Sequence, residues 1–339
     1  MNRIIITGGN GFIGRHLVRR LVTNKKNEIV IISNKSNPDT KLRLRSKSLE
    51  PMPITFYTVD IRDKESILDI FRKEKADTCV HLAASISVAD SIKNPEQTMD
   101  VNVNGTLNVL NACYNTKVKN FVFASSAAVY GDVRELPILE DVNLKPLSPY
   151  GQSKMLAEKE VWNYNRLRKI QNTASLRIFN AYGTGQLSDS DVISKFATRL
   201  SKGLPPVIHG DGTHTRDFIS VDDVADAILL SVRAMEKNFY DMLNTPPIFN
   251  IGSGKATSTR ELAHKMISIS GLELNPIYDE GNQGDGVILQ SYADTTKSRE
   301  ALQFVVKKDL ESGLREIIEQ MHVSRSVTNS DAREVNLND

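Results

Sequence analysis

Tyr150 and Lys154 are the residues whose types and spacing best suit acid–base chemistry. They lie four residues apart at the start of a segment with helical periodicity, so both side chains would project from one helix face. A phenol titrates at about pH 10, and a nearby ammonium would favour the phenolate and make it a usable acid or base. An isolated Tyr-x-x-x-Lys pair is more often a surface pair, so its chemistry depends on its surroundings.

A glycine-rich segment, Gly8–Gly14, lies between the β-branched run Ile4–Thr7 and a helical segment. Glycine allows a tight turn, lets backbone N–H groups approach a pyrophosphate, and permits close packing of helix on strand. The N-terminus of the helix would then face the phosphates with its partial positive charge. A tight turn without a ligand is the alternative, but the strand before and the helix after favour a dinucleotide site.

Short β-branched runs alternate with helical segments along the first half of the chain, which predicts a parallel sheet covered by helices. The runs are Ile4–Thr7, Ile29–Ile32, Thr55–Val59, Thr78–Leu82, Phe121–Ala124 and Ser175–Phe179. The predicted helices are Gly14–Val22, Lys64–Lys73, Asp100–Tyr114, Ser153–Arg168, Val192–Lys202, Val221–Ala234 and Ser258–Ser270, with Ser220 and Ser258 as N-caps. The fold class is therefore α/β: a Rossmann-type, doubly wound parallel sheet with a smaller C-terminal α/β substrate domain.

The pattern also suggests how the chain is divided. We predict a dinucleotide-binding domain over residues 1–180, with residues 219–250 returning to it. Residues 181–322, rich in Gly, Asp and Pro loops, would form mainly the substrate domain. The polar, aperiodic stretch 323–339 is predicted to be a disordered tail.

Composition excludes several classes of partner. The 339 residues include 43 basic and 41 acidic side chains, so no global basic field attracts nucleic acid or a membrane surface. No apolar run approaches membrane-spanning length. The two cysteines, Cys79 and Cys113, lie in apolar segments and are expected to be buried thiols of a cytosolic protein. The six histidines lack metal-ligand spacing, and the basic run 41–47 lacks interleaved aromatics.

Several motifs together resemble the extended short-chain dehydrogenase/reductases. They are the Gly8/Gly11/Gly14 spacing, the Tyr150–Lys154 pair, and Ser126 placed four residues before Tyr130. The segments Asn102–Thr106, Arg177–Gly183 and Gly210–Phe218 extend the resemblance almost to the end of the chain. The pattern is most similar to the NAD-dependent epimerase/dehydratase family, and within it to the UDP-glucose 4-epimerase group.

The resemblance implies roles for individual residues. Ser126, Tyr150 and Lys154 would be catalytic. The cofactor, NAD or NADP, would contact Gly8, Gly11, Phe12, Ile13, Gly14, Ser33, Asn34, Lys35, Asp60, Ile61, Leu82, Ala83, Ala84, Asn102, Ser125, Tyr150, Lys154 and Phe179. A nucleotide sugar would contact Ser126, Asn180, Val192, Lys195, Val207, Arg216, Asp285 and Ser291. For Asn180 and Arg216 the alternatives are a loop-bracing amide and a surface ion pair with Asp217.

The implied reaction is transient oxidation of the sugar at C4 followed by reduction on its other face. A 4,6-dehydratase would need an additional acid and base beside Ser126, where the chain has Ala127 and Ala128. A 4-keto reductase or a decarboxylase remains an alternative. So does a non-catalytic NAD(P)-sensing protein, although such proteins typically lose the Tyr or the Lys. Relatives commonly form homodimers through the helices predicted at Asp100–Tyr114 and Ser153–Arg168.

Three departures from the family pattern affect specificity. Where NAD-binding relatives have an acid after the second strand, this chain has Ser33, Asn34 and Lys35. Lys35, with Arg43 or Arg45, would suit a 2′-phosphate, and a solvated basic loop is an equally good interpretation. Asn282 replaces an expected phosphate-binding arginine three residues before Asp285. Ser291 is small at a position beside the sugar, which predicts tolerance of N-acetylhexosamines.

Overall fold

A computed structural model describes residues 2–24, 26–35, 54–186, 191–237, 245–279 and 288–321. Seven strands form one parallel sheet. They are β1 (Asn2–Thr7), β2 (Asn27–Ser33), β3 (Ile54–Thr58), β4 (Thr78–His81), β5 (Asn120–Ser126), β6 (Asn172–Ile178) and β11 (Ile248–Ile251). Their order is β11–β6–β5–β4–β1–β2–β3, so the direction of winding reverses between β1 and β4. Ligands of open α/β sheets bind at the carboxyl ends of the strands beside such a reversal.

Helices cover both faces of this sheet. Up to β6 they are α1 (Phe12–Leu21), α2 (Lys64–Glu74), α3 (Val88–Lys93), α4 (Pro95–Met99), α5 (Gly105–Thr116) and α6 (Pro149–Arg166). After β6 they are α7 (Val192–Ser201), α8 (Val221–Glu236), α9 (Thr259–Ser270), α10 (Thr296–Leu302) and a helix over residues 310–321. Helices α1 and α8 pack on one face, and α2, α5 and α6 on the other. We call the seven strands and these five helices the sheet region.

Short strands form a separate set of pairings. Strand β7 (Asn180–Tyr182) pairs with β10 (Phe218–Ser220), β8 (Val207–His209) with β13 (Ile277–Asp279), and β9 (Thr215–Arg216) with β12 (Thr257–Ser258). Side chains of α7, α9 and the 310–321 helix fill a core that includes Phe196, Ile208 and Leu262. We call these strands and helices the short-strand region.

The six predicted strands all occur in the sheet, and residues 219–250 contribute α8 and β11 to the sheet region. The predicted N-caps are observed, because the Ser220 and Ser258 hydroxyls accept hydrogen bonds from the backbone of their own first turns. The α/β fold class is confirmed. The predicted tail, 323–339, lies outside the described residues. Among the described residues, no helix is long and apolar enough to span a bilayer.

Two helix starts differ from their predictions by four or more residues. Helix α6 begins at Pro149 rather than Ser153, since Pro149 suits a first helical position and the Ser148 hydroxyl caps the turn by accepting from Gly151 N–H. The helix predicted from Asp100 begins instead as a π-helical turn, Asp100–Asn104, and becomes regular only at Gly105. Such π-turns are frequent at functional sites.

Candidate active site

The glycine loop at the end of β1 cannot carry side chains at two of its positions. Gly8 has φ +70°, and a Cβ built on it would lie 2.7 Å from the backbone nitrogen of Ala83. A Cβ on Gly14 would overlap the carbonyl oxygen of Gly8. Gly11 is the N-cap of α1 and has no side chain that could accept a hydrogen bond. The first N–H groups of α1 therefore have no side-chain cap. An anionic group fits this cradle.

Lys154 reaches the carboxyl end of β5 from inside α6. Its ammonium donates a 2.9 Å hydrogen bond to the carbonyl oxygen of Ala124 and lies 4.9 Å from the centre of the Phe123 ring. The side chain is buried, and this burial lowers the pKa of Lys154 to about 7. A charge held here acts through little water, which strengthens its effect on nearby groups.

Tyr150 and Ser126 lie at the same end of β5 as Lys154. We call these three candidate residues the catalytic corner. Ser126 is the last residue of β5, and Tyr150 lies in the first turn of α6. Burial raises the pKa of Tyr150, while a hydrogen bond with the Ser126 hydroxyl lowers it. The structure therefore brings the three predicted catalytic side chains, Ser126, Tyr150 and Lys154, to one strand end.

A buried polar network, which sequence reasoning missed, lies next to this corner. His81 Nδ1 is 2.6 Å from the Thr7 hydroxyl and its Nε2 is 2.9 Å from the Thr106 hydroxyl. Thr106 donates to the carbonyl oxygen of Asn102, so it accepts from Nε2–H, and Nδ1 accepts from Thr7. Burial, followed by the charge of Lys154, lowers the pKa of His81 to about 3, so the ring is neutral. The only signal in the sequence is a histidine ending an apolar strand.

Asn102 connects this network to the loop after β4. Its amide nitrogen donates to the Ser85 carbonyl (2.9 Å) and to the Ser153 hydroxyl (2.8 Å), and its oxygen accepts from Ser85 N–H (2.7 Å). Both amide hydrogens are thus used within the protein. Asn102 therefore braces the loop beside Gly8, and its contact with the cofactor stays a prediction.

The remaining cofactor candidates surround the same strand ends. Phe12 and Ile13 open α1, Leu82–Ala84 follow β4 and approach Gly8, and Phe179 packs against Tyr130. Ser125 is buried and its hydroxyl has no hydrogen-bond partner among the described residues, which suits a polar ligand group. The cradle at Gly8 and Gly14 and this unpaired hydroxyl both fit a dinucleotide.

The second and third strands end beside the loop. Gly8 N–H donates to Ile32 O at 2.7 Å, which places the end of β2 next to the first glycine, with Ser33, Asn34 and Lys35 following Ile32. Asp60 follows β3 with its carboxylate held by the Arg62 side chain, and Ile61 is buried against Gly105. Arg43 and Arg45 lie outside the described residues.

The predicted substrate residues fall into two sets. Arg216 donates to the carbonyl oxygens of Thr215 (2.8 Å) and Ile288 (2.9 Å), and not to Asp217, so the alternative of a surface ion pair is wrong. Ser291 is buried in the same segment as Ala293, which belongs to one buried cluster with Val129, just beyond Ser126. Arg216 and Ser291 thus both contact or belong to the segment 288–293, whose Ala293 shares that cluster.

The other set is more dispersed. Asn180 is exposed at the start of β7, Val192 and Lys195 lie in the first turns of α7, and Val207 begins β8. Asp285 and Asn282 lie outside the described residues. Within the described ranges, no three His, Cys, Asp or Glu side chains cluster as a metal site would require.

Sequence reasoning also missed Asp217, whose side chain joins distant segments of the chain. Its buried carboxylate accepts hydrogen bonds from Ser253 N–H and hydroxyl, Gly254 N–H and Ala293 N–H, at 2.6–3.1 Å. It thereby joins β10 to the loop after β11 and to the Ser291 segment. These partners lie 36 to 76 residues away along the chain, which explains why no local pattern revealed them.

Comparison with known proteins supports the resemblance to the epimerase/dehydratase family. Residues 4–252 match the NAD dependent epimerase/dehydratase family. A putative UDP-glucose 4-epimerase of Methanocaldococcus jannaschii is 36% identical over 325 residues, covering 94% of this chain and 98% of that protein.

Solved structures of similar proteins cover nearly the whole chain. The UDP-glucose 4-epimerase of Thermus thermophilus, in complex with NAD, has a TM-score of 0.80 at 29% identity and covers 94% of this chain and 99% of that one. The UDP-N-acetylglucosamine 4-epimerase of Methanobrevibacter ruminantium M1, in complex with UDP-N-acetylmuramic acid, has a TM-score of 0.81 at 28% identity, with 96% and 99% covered. From its sequence, its fold and the geometry of its site, the chain belongs to the NAD-dependent epimerase/dehydratase family.

Proposed function

We propose that the protein is a nucleotide-sugar 4-epimerase that acts by transient oxidation at C4 of the sugar. The observation that carries this is the meeting of Ser126, Tyr150 and Lys154 at the end of β5, close to the ligand cradle at Gly8 and Gly14. Relatives similar over nearly the whole chain are named UDP-glucose and UDP-N-acetylglucosamine 4-epimerases, which supports this reaction.

The site holds a nicotinamide dinucleotide in the proposed enzyme. The N-terminal turn of α1 and the loop from Gly8 to Gly14 would bind its pyrophosphate, and the Ser125 hydroxyl would gain the hydrogen-bond partner that it lacks among the described residues. When bound, the nicotinamide would supply a reversible hydride acceptor for the sugar C4.

Tyr150 exchanges the proton of the sugar 4-hydroxyl. Burial keeps its phenol protonated in the free protein, because burial raises its pKa, so positive charge near the ring is needed to make it a base. Lys154 supplies such a charge from the same helix face, anchored on Ala124 O. Ser126 hydrogen-bonds the phenol and orients the hydroxyl that is to be deprotonated.

Elimination chemistry is disfavoured by the two residues after Ser126. These residues, Ala127 and Ala128, lie in a short 3₁₀ turn and carry neither an acid nor a base. A dehydratase must remove a proton and protonate a leaving hydroxyl, which takes two further titratable groups. The constellation suits reversible oxidation better than loss of water.

The substrate-side residues suggest a UDP-hexose with room for an acetamido group. The proposed diphosphate contacts are Asn180 and Arg216, with Val192, Lys195, Val207 and Asp285 towards the nucleotide. Ser291 is a small, buried side chain on the segment that approaches the catalytic corner. A tyrosine at that position would fill the space, so Ser291→Tyr is expected to lower turnover of N-acetylhexosamines more than of plain hexoses. Unchanged relative rates would contradict this assignment.

We also propose that the enzyme is a cytosolic homodimer that pairs α5 and α6 between subunits. Tyr114 in α5 and Leu167 at the end of α6 are about half exposed, although both are large and apolar. The free thiols of Cys79 and Cys113 suit a reducing compartment. Light scattering of the purified protein measures the subunit number directly.

A panel of UDP-, dTDP- and GDP-hexoses tests the proposed reaction. The purified protein, with no cofactor added, is expected to form the 4-epimer of at least one of them. Inactivity towards every member, together with retained dinucleotide binding, would instead support a cofactor-sensing protein without catalysis.

A further inference from the structure

We infer that Arg177 is a positioning residue for the proposed reaction. Through a buried hydrogen-bond network it holds two elements against the end of β5: the face of α6 that carries Tyr150 and Lys154, and the segment 291–294. The inference rests on the proposed epimerase for its kinetic test, whereas its binding test does not depend on turnover. The network comprises Tyr130, Glu140, Glu158, Arg177 and Asn250.

The first arm of the network ties α6 to β6. Glu158 follows Lys154 by four residues and Tyr150 by eight, so the three side chains share one face of α6. The Glu158 carboxylate accepts from Arg177 Nε at 3.1–3.2 Å and from a terminal nitrogen at 2.6 Å, and both side chains are at most 4% exposed. Arg177 in turn pairs in register with Ser125 of β5. This bidentate contact sets the rotation and height of the α6 face relative to the strand end.

The second arm runs from Arg177 through Tyr130 to Asn250. The other terminal nitrogen of Arg177 donates to the Tyr130 hydroxyl at 3.0 Å and to the carbonyl oxygen of Glu140 at 2.8 Å. Burial raises the pKa of Tyr130, so its phenol stays protonated and donates to the side-chain oxygen of Asn250. Tyr130 follows Ser126 by four residues. The end of β5 is therefore linked to the network through Tyr130 as well as through its neighbour strand.

Asn250 carries the second arm to the segment 291–294. Its side-chain nitrogen donates to the carbonyl oxygens of Ile138 at 2.8 Å and Asp294 at 3.1 Å. Ile138 is bound to the same segment, because its N–H donates to Tyr292 O and its carbonyl accepts from Asp294 N–H, each at 2.9 Å. Ser291, which is proposed to lie beside the sugar, directly precedes these residues. The second arm thus connects Arg177 to the backbone of a proposed substrate segment.

A gain in stability does not by itself account for such a buried ion pair. Taking two charges out of water costs about as much as their attraction returns, so an apolar pair of similar volume is often equally stable. Arg177 and Glu158 contribute geometry instead, since a planar guanidinium holds a carboxylate in one orientation. Displacing a catalytic group by about 1 Å can lower a rate on the order of 100-fold. The network therefore acts on the rate through the placement of Tyr150 and Lys154.

Epimerisation of UDP-glucose, measured across a range of pH, tests the first arm. The double variant Arg177→Met/Glu158→Leu removes the ion pair without leaving one charge buried, so it is expected to fold. Its kcat should fall by about tenfold or more, with KM and dinucleotide affinity near wild type. The rising limb of its kcat–pH profile should move to higher pH, because a displaced Lys154 favours the Tyr150 phenolate less. Net charge is the same in both proteins, so the shift reports geometry.

The matched control for the double variant is Arg3→Met/Glu28→Leu. It makes the same substitutions in the ion pair that joins β1 to β2 near the start of both strands. This control should keep the wild-type kcat, KM and pH profile. A change equal to that of the Arg177/Glu158 variant would assign the effect to the loss of any ion pair in the sheet and would overturn the inference.

Tyr130→Phe tests the second arm by removing one hydroxyl. KM for UDP-glucose should rise by about three- to tenfold, more than kcat falls, and calorimetric affinity for UDP-glucose should fall by a similar factor. Tyr164→Phe is the matched control, because the Tyr164 hydroxyl also donates to a side-chain amide oxygen, that of Asn111. The control should change neither KM nor affinity.

A loss of thermal stability with wild-type kinetics in the folded fraction would show that the network is structural only and would overturn the inference. If the double variant does not fold, Tyr130→Phe decides: wild-type KM and affinity would overturn the inference, and the expected rise in KM would support it. Absence of epimerisation by the wild type would remove the proposed function, and the UDP-glucose affinity of Tyr130→Phe would then decide the inference. A wild-type protein that does not bind UDP-glucose would overturn both.

Discussion

The sheet region and the short-strand region position their side chains in different ways. In the sheet region, candidate catalytic and cofactor residues lie at or just beyond the end of a strand, as Gly8 follows β1 and Ser126 ends β5. In the short-strand region, strands of two or three residues are joined to distant segments by one buried carboxylate, Asp217. Candidate catalytic residues are thus placed by local structure, and candidate substrate residues by long-range hydrogen bonds.

The largest effect is expected at the catalytic corner of the sheet region. Tyr150→Phe removes only the phenol oxygen, so it should lower kcat by about 10²–10⁴-fold while dinucleotide affinity stays near wild type. Tyr278→Phe, at an exposed tyrosine of the short-strand region, is the matched control and should keep full activity. Turnover that survives Tyr150→Phe would contradict the proposal that the sheet region carries the acid–base residue of the reaction.

Gly8→Ala tests whether the cradle is set by steric contact. Its Cβ would lie 2.7 Å from Ala83 N and 2.9 Å from the Leu82 carbonyl carbon, so the loop must move. Dinucleotide affinity should fall by about tenfold or more, since backbone N–H groups would no longer reach the pyrophosphate. Gly271→Ala has a similar positive φ, +69°, but no atom within 4 Å of the added carbon.

That control separates backbone strain from collision. Gly271→Ala should cost only about 1 kcal/mol of stability and leave affinity unchanged. Equal affinities for the Gly8 and Gly271 variants in a calorimetric titration would show that the close approach at Gly8 does not shape the site.

Asp217→Asn addresses the short-strand region. Each oxygen of Asp217 accepts two hydrogen bonds, so an amide nitrogen in either place would face donors. The free energy of unfolding should fall by about 1–3 kcal/mol, and KM for the nucleotide sugar should rise more than kcat falls. Asp211→Asn, whose carboxylate accepts only from nearby Thr213, should have a smaller effect on both. A fall in kcat alone would contradict the division between the two regions.

Lys154 gives an effect on the free energy of unfolding that depends on pH. Its pKa is lowered to about 7 in the folded protein from an ordinary value of 10.5. The cost of burying its charge is therefore fully present below pH 7 and declines as pH rises towards 10.5. The free energy of unfolding of Lys154→Met minus that of the cofactor-free wild type should thus decrease between pH 7 and 10. A difference that stays constant across this range would contradict the claim that burial lowers the pKa of Lys154.

Sequence patterns revealed most of the sheet region and little of the short-strand region. The glycine spacing, the strand ends and the Tyr150–Lys154 pair could be predicted because each depends on residues within a few positions of one another. The contact of Thr7 with His81 could not, since it depends on the register of β1 against β4. Nor could Asp217, since Ala293 is 76 residues away. Register and long-range pairing are properties of the folded chain.

The central claim is that the Ser126–Tyr150–Lys154 corner oxidises and reduces the same carbon atom. UDP-glucose carrying deuterium at C4 tests it most directly, incubated with the purified protein in ordinary water without added cofactor. We predict UDP-galactose that retains deuterium at C4, because the hydride removed is the hydride returned. Formation of the 4-epimer with deuterium replaced by solvent hydrogen would contradict the account.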